Sequence, residues 1–200
     1  MVTVAAGDDH NLALNTNGNV IAWGGNTFNQ TKVPTTLTNA VAVSAGRSQS
    51  LALRKDSTVV QWGQTNSAIP SGLTNVSAIA SGTNFHLALR SNSTVVAWGL
   101  NNFGQTNVPT GLSNVVAIAA GGFHALAVLR ANGTVVSWGA NGSGQTNVPA
   151  GLSNVMAVAA GWAYSAALKN DGTVICWGDN TYGQTNVPGL LNMVKMIAAG

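Results

Sequence analysis

The sequence predicts an all-β chain, a β-propeller built from five repeats of about 39 residues with three short antiparallel strands in each blade. Three observations carry that expectation. The 200 residues are 46% hydrophobic but only 6% charged, with five Asp and no Glu. Exposed helix faces normally draw on Glu, Lys and Arg, so this composition disfavours helices. Trp-Gly pairs recur at Trp23, Trp62, Trp98, Trp138 and Trp177, spaced 39, 36, 40 and 39. A glycine closing "AAG", "SAG" or "ASG" recurs at Gly7, Gly46, Gly82, Gly121, Gly161 and Gly200, bounding five periods.

Each period reads as strands in a fixed order. "VVAIAAG" (115–121) is a short apolar run of small residues, as expected of a strand buried on both faces. "HALAVL" (124–129) follows it, and "TVVSWG" (134–139) is the returning strand. Between the last two stands a turn pair: Asn17-Gly18, Asp56-Ser57, Asn92-Ser93, Asn132-Gly133 and Asp171-Gly172. Asn or Asp before Gly is favoured where both turn residues need positive φ, which predicts a tight two-residue hairpin. "GQTNVP" then leads to the next copy. The 36-residue interval reflects a shortened loop, "WGQTNSAIP" (62–70), and the 40 reflects one extra residue near Leu129.

Three short strands cannot bury two faces alone, so successive copies must stack. A β-solenoid and a radial propeller both achieve this. Solenoid coils are shorter and need no hairpin in every unit, whereas one Trp per antiparallel unit suits blades that pack on their neighbours.

The segments "AAGGFHALAV", "NGTVVSWG" and "GQTNVPAGLSNV" resemble the regulator-of-chromosome-condensation repeat over essentially the whole chain. They are more closely similar to its short bacterial version in β-lactamase inhibitory protein II. The resemblance implies a propeller of small blades and an extracellular or cell-surface setting. It makes a class A β-lactamase one concrete protein partner. The architecture also hosts exchange factors and adhesion modules, so fold does not fix function.

In an antiparallel three-strand blade, the loops leaving the first and third strands emerge on one face, opposite the hairpins. Seven aromatics outside the Trp-Gly pairs fall in or beside those loops: Phe28, Phe85, Phe103, Phe123, Trp162, Tyr164 and Tyr182. Exposed rings gathered there would anchor a protein partner, with Asp8, Asp9 and Arg47 as polar companions. The bland alternative is that His10, Gln49, Phe85, His124 and Tyr164, at one repeat position, fill the ring's central channel. Phe28, Phe103 and Tyr182 would then merely pack their loops. Phe123 and Trp162 break their copies' pattern and favour recognition. Sugar binding would use the same rings. Arg54, Lys55, Arg90, Arg130 and Lys169 precede the hairpins on the opposite face and read as solubilising decoration.

Catalysis needs a titratable group with an oriented partner. Of the three histidines, His10 and His124 share a repeat position and His86 is one place out of step. A histidine is common there in the family the chain resembles, which implies a hydrogen-bonding role in the blade. No nucleophile motif or phosphate loop is present. Cys176 stands where other copies carry Ala22, Gln61, Ala97 and Ser137, and reads as a packing residue. An enzyme, a cofactor and a metal are therefore not expected. Eight basic residues and a net charge of +3 are too thin for a nucleic-acid footprint, and no apolar run reaches membrane-spanning length. No signal peptide is visible; if the native protein is exported, its leader lies outside this chain.

The 200 residues are expected to form one propeller domain, a blade block cut from or belonging to a longer array. Segments 1–7 and 194–200 both align with the first strand, giving six candidates for five innermost positions. Either one copy is displaced, or the ring stays open, or the spare strand enters another molecule as a homo-oligomer. Closure of five blades within one chain is the first expectation.

Overall fold

The computed structural model describes residues 3–64, 67–189, 191 and 193–200. Residues 1 and 2 of the expected first strand, and 65 and 66 of the short loop, lie outside the described set. The fold is all-β, with five separate three-stranded sheets, each a consecutive antiparallel meander. Blade 1 is β1 (Thr3–Ala6), β2 (His10–Leu14) and β3 (Val20–Gly24). Blade 2 is β4 (Ala40–Ala45), β5 (Gln49–Arg54) and β6 (Val59–Gly63); blade 3 is β7 (Val76–Ser81), β8 (Phe85–Arg90) and β9 (Val95–Gly99). Blade 4 is β10 (Val115–Ala120), β11 (His124–Leu129) and β12 (Val135–Gly139); blade 5 is β13 (Val155–Ala160), β14 (Tyr164–Lys169) and β15 (Val174–Gly178). Among the described residues no helix is long and apolar enough to cross a membrane.

The middle strand of each blade is the buried one. His124–Val128 of β11 are buried throughout, because strands flank the chain on both edges and blades cover both faces. The inner strand is not buried on both faces as its composition predicts. Val41, Val116 and Met156, the second residues of β4, β10 and β13, are exposed. A bulge at this residue breaks the pairing between Val115 and Ala117, and equally in β4, β7 and β13.

The turns also depart from expectation. Only the second residue of each pair has positive φ, at Gly18, Ser57, Ser93, Gly133 and Gly172. In blade 2 the Ser57 amide donates to Arg54 O at 3.0 Å and Arg54 N to Thr58 O at 2.9 Å. This is a three-residue loop ending in a left-handed residue, a common hairpin alternative to the two-residue turn. Blade 4 carries the extra residue there: Leu129 N donates to Thr134 O, one position further on.

The cores lie between blades. Leu12 and Leu14 of blade 1 pack with Val43, Ala52, Val60 and Trp62 of blade 2. The pattern repeats as Leu51 and Leu53 against Trp98, Leu87 and Leu89 against Trp138, and Leu126 and Val128 against Trp177. Blades 2 to 5 thus each have a leading face, bearing the Trp, that covers the trailing face of the blade before it. The five inner strands line a central channel of about 540 Å³, whose wall is completed by Ala198, Ala199 and Gly200. Among the described residues, strands of blade 5 and blade 1 share no extended contact. The sixth copy of the inner segment, 194–200, forms no strand.

Candidate functional site

The recurring glycine- and amide-rich loop organises the seams from which the candidate site projects. In the loop after β9, Asn101 Oδ1 accepts the Thr106 amide at 3.0 Å, and its Nδ2 donates to Asn107 Oδ1 at 2.8 Å. Gln105 Oε1 accepts the Phe103 amide at 2.9 Å. Folded this way, the loop presents the Gln105 main-chain carbonyl to the next blade, where Trp138 Nε1 donates to it at 3.0 Å.

Two seams add a hydroxyl and an imidazole. The Gln145 carbonyl accepts both Trp177 Nε1 at 2.9 Å and Ser165 Oγ at 2.8 Å, using its two lone pairs. Ser165 Oγ in turn lies 2.9 Å from His124 Nε2. Because the hydroxyl proton points at the carbonyl, His124 must donate Nε2–H. The same chain runs through Gln30, Trp62, Ser50 and His10, with His10 Nε2 at 3.0 Å from Ser50 Oγ. Burial lowers the His124 pKa to about 4 and that of His86 to about 3. Burial also lowers His10, partly opposed by the Asp9 carboxylate. His10 and His124 are neutral hydrogen-bonding links between blades, whereas His86 Nδ1 lies 3.1 Å from Ser81 Oγ within blade 3. Among the described residues, no group of three His, Cys or Asp side chains is placed to hold a metal ion.

On the face where the inner-strand and third-strand loops emerge, rings from three successive blades meet. Phe103 lies 5.2 Å from Phe123 between centroids, and Phe123 lies 5.3 Å from Trp162 in an edge-on arrangement. Phe103 and Trp162 are exposed and Phe123 is half-buried. Tyr182 and half-buried Tyr164 join Trp162 around a shallow hollow of about 420 Å³ with Asp179 and Gln184. Phe28 is exposed in the loop after β3, its amide donating to Gln30 Oε1 at 2.8 Å. Gln30 Nε2 reaches Asp9 Oδ1 at 3.2 Å, and Asp8 pairs with Arg47 of the next blade at 3.6 Å. Asp8, Arg47 and Trp162 rim the channel mouth.

Phe85 is a correction. Grouped with the exposed rings on its sequence position, it is fully buried, its ring against Gly82 and within the core between blades 3 and 4. At this repeat position the side chain points into the following seam, as His10 and His124 do. Tyr164 is less covered, since among the described residues no blade packs on this side of blade 5.

Sequence reasoning missed the seam residues Gln30, Gln105, Gln145, Ser50 and Ser165. Their signal was present: the Gln of "GQTN" recurs with the Trp, and a Ser follows the inward-pointing residue of two middle strands.

Blades of this size, each tied to the last by one indole, define a short-repeat β-propeller. The family model described as the regulator of chromosome condensation (RCC1) repeat matches residues 1–30, 76–105, 115–145 and 156–184. The chain belongs to this family. Blade 2, with its shortened loop, falls outside the matched stretches. No curated protein matches the sequence. Among solved structures, Prp20p from Saccharomyces cerevisiae is similar with a TM-score of 0.79 at 22% identity, over 94% of this chain and 59% of Prp20p. That structure was described together with Prp20p binding to Gsp1p and histones. The ectodomain of the Physcomitrella patens receptor kinase CR4 gives 0.84 at 22% identity, over 100% of this chain and 59% of its own. The ectodomain of the Arabidopsis thaliana receptor kinase ACR4 gives 0.74 at 26%, over 98% and 71%. The chain thus spans about three-fifths of the first two relatives.

Proposed function

We propose that this chain is a non-catalytic protein-recognition propeller whose contact surface is the aromatic face. The observation that carries the reading is the ladder Phe103–Phe123–Trp162. Three rings from three blades stand in mutual contact at the surface, where burial by a partner would recover their apolar area. Tyr182, Tyr164 and Phe28 extend the patch, and Asp8, Asp9 and Arg47 give it a polar margin. Protein binding by Prp20p supports the class of activity, though not its partners here. A class A β-lactamase is the specific partner implied by resemblance to the short bacterial repeats.

Binding to a panel containing class A β-lactamases, Gsp1p and histones tests this reading. The double variant Phe123→Ala/Trp162→Ala is expected to weaken any captured partner at least tenfold while leaving the fold intact. Undiminished binding by that variant would sink the aromatic face as the contact surface.

A second reading, assembly by strand exchange between segments 1–7 and 194–200, is favoured by one observation. The segment 194–200 repeats the inner-strand sequence yet has no strand partner. Light scattering across a concentration series tests it, and a monomer throughout would exclude it.

A further inference from the structure

We propose that the leading face of blade 1 seats the trailing edge of blade 5 of a second copy, with Trp23 donating to that copy's Gln184 carbonyl. The proposal rests on the strand-exchange reading and adds the side chains that make the joint specific.

A repeated interface has one half uncovered on blade 1 and the other on blade 5 among the described residues. Trp62, Trp98, Trp138 and Trp177 are 6%, 4%, 7% and 8% exposed, each covered by the preceding blade. Trp23 occupies the same place in blade 1 and is 49% exposed, flanked by Ile21 at 58% and Val4 at 74%. Their counterparts in blade 2, Val60 and Val43, pack in the seam with blade 1. Among the described residues, Trp23 Nε1 has no acceptor. At the other end, Gln184 Oε1 accepts the Tyr182 amide at 2.9 Å, as Gln105 does with Phe103 and Gln145 with Ser143. The same loop geometry therefore presents the Gln184 carbonyl outward, and no described indole reaches it.

The tail supplies the second half of the argument. Met193 has φ 54°, in the left-handed region used by Asn39, Asn75, Asn114 and Asn154 before each inner strand. Val194 N donates to Gly172 O at 3.3 Å, matching Val155 N to Gly133 O at 3.0 Å. The tail thus starts a sixth inner strand in the correct place with no middle strand beside it. β1 pairs with β2 from Thr3 to Ala6 in the register that Ala117–Ala120 keep with β11. A tail from a second copy carries the same inner-strand segment, 194–200 for 1–7, and would take the place of β1 beside β2. Tyr164 of that copy would then face Asn11, which stands where Ser50 and Ser165 receive the histidines. The occupant is a second copy because its trailing edge repeats the surface that already covers four leading faces within the chain. Such a head-to-tail joint closes into a ring or runs into an open filament.

Two variants test it by light scattering from micromolar to high-micromolar concentration. Trp23→Ser damages only the head, and Met196→Pro/Ile197→Pro blocks pairing of the tail. Both sites lie outside the four internal seams, so each variant is expected to melt as the wild-type monomer does. Wild type is expected to self-associate, and each variant at least tenfold more weakly. An equimolar mixture retains one intact head and one intact tail, and is expected to give a dimer that grows no further. Wild type that stays monomeric overturns both the joint and strand exchange. Association abolished by the tail variant but unchanged by Trp23→Ser overturns the Trp23 seat and leaves strand exchange standing. A mixture that fails to dimerise overturns the head-to-tail arrangement.

Discussion

Trp98 Nε1 donates to the side-chain oxygen of Gln61 at 3.0 Å, whereas Trp62, Trp138 and Trp177 donate to the main-chain carbonyl of a loop glutamine. The exception has a cause in the sequence. The loop of blade 2 is shortened in sequence, and Gln61 stands where other blades carry Ala22, Ala97, Ser137 or Cys176. A long amide on the third strand thus serves as the indole's acceptor in place of a loop main-chain carbonyl.

Gln61→Ala is therefore expected to strand the Trp98 indole and to lower stability by about 1–3 kcal/mol, the cost of a buried donor left unpaired. Chemical denaturation reads this directly. Ser137→Ala, at the same position in blade 4, leaves the Trp138 bond to Gln105 intact and should change stability far less.

Ser165→Ala removes both the donor to Gln145 O and the acceptor for His124, with both groups buried. A loss of about 1–3 kcal/mol is expected, and Ser50→Ala should behave alike. Equal stability of either variant and wild type would show that the His–Ser–carbonyl chain contributes nothing.

Stability should fall on acidification through a window set by the histidines. The unfolded chain takes up protons below the ordinary imidazole pKa of 6.5, while folded His124 and His86 resist until about 4 and about 3. Their contribution is intact above pH 6.5 and is lost progressively toward pH 4 and below. Each neutral buried histidine should cost about 2 kcal/mol by pH 5. Asp171, held at about 2 by Thr173 and Lys169, loses its stabilised charge only below the usual carboxylate range. Urea unfolding at pH 7 and pH 5 measures the slope, and His124→Gln should flatten it.

Gly121→Ala is expected to be severely destabilising, by about 3 kcal/mol or more. A methyl there would collide with His124 Cε1 and stand 2.5 Å from Gly161 O, where the inner strands of blades 4 and 5 approach. Gly142→Ala, in open space within the loop after β12, is the control and should melt within about 2 °C of wild type.

The period, the strand order and the role of the tryptophans were legible because they repeat, and repetition survives any single misread residue. The turn type was not. Asp56-Ser57 and Asn132-Gly133 suit two hairpin forms, and only the backbone distinguishes one positive φ from two. The aromatic face was legible in outline, since Phe103, Phe123 and Trp162 do meet, but Phe85 was misplaced. A ring at the start of a middle strand faces the next blade, and one-chain periodicity does not reveal what covers it. The same limit hid the glutamine carbonyls, whose partners lie 32 or 33 residues away.

Every seam takes its carbonyl from one copy and its indole from the next, so a single unit carries a matching half for each neighbour. Duplicating one such unit in frame would lengthen the array without requiring a new contact to evolve, and deleting one would heal the break. The number of blades is then free to drift among descendants while the joint between any two stays constant.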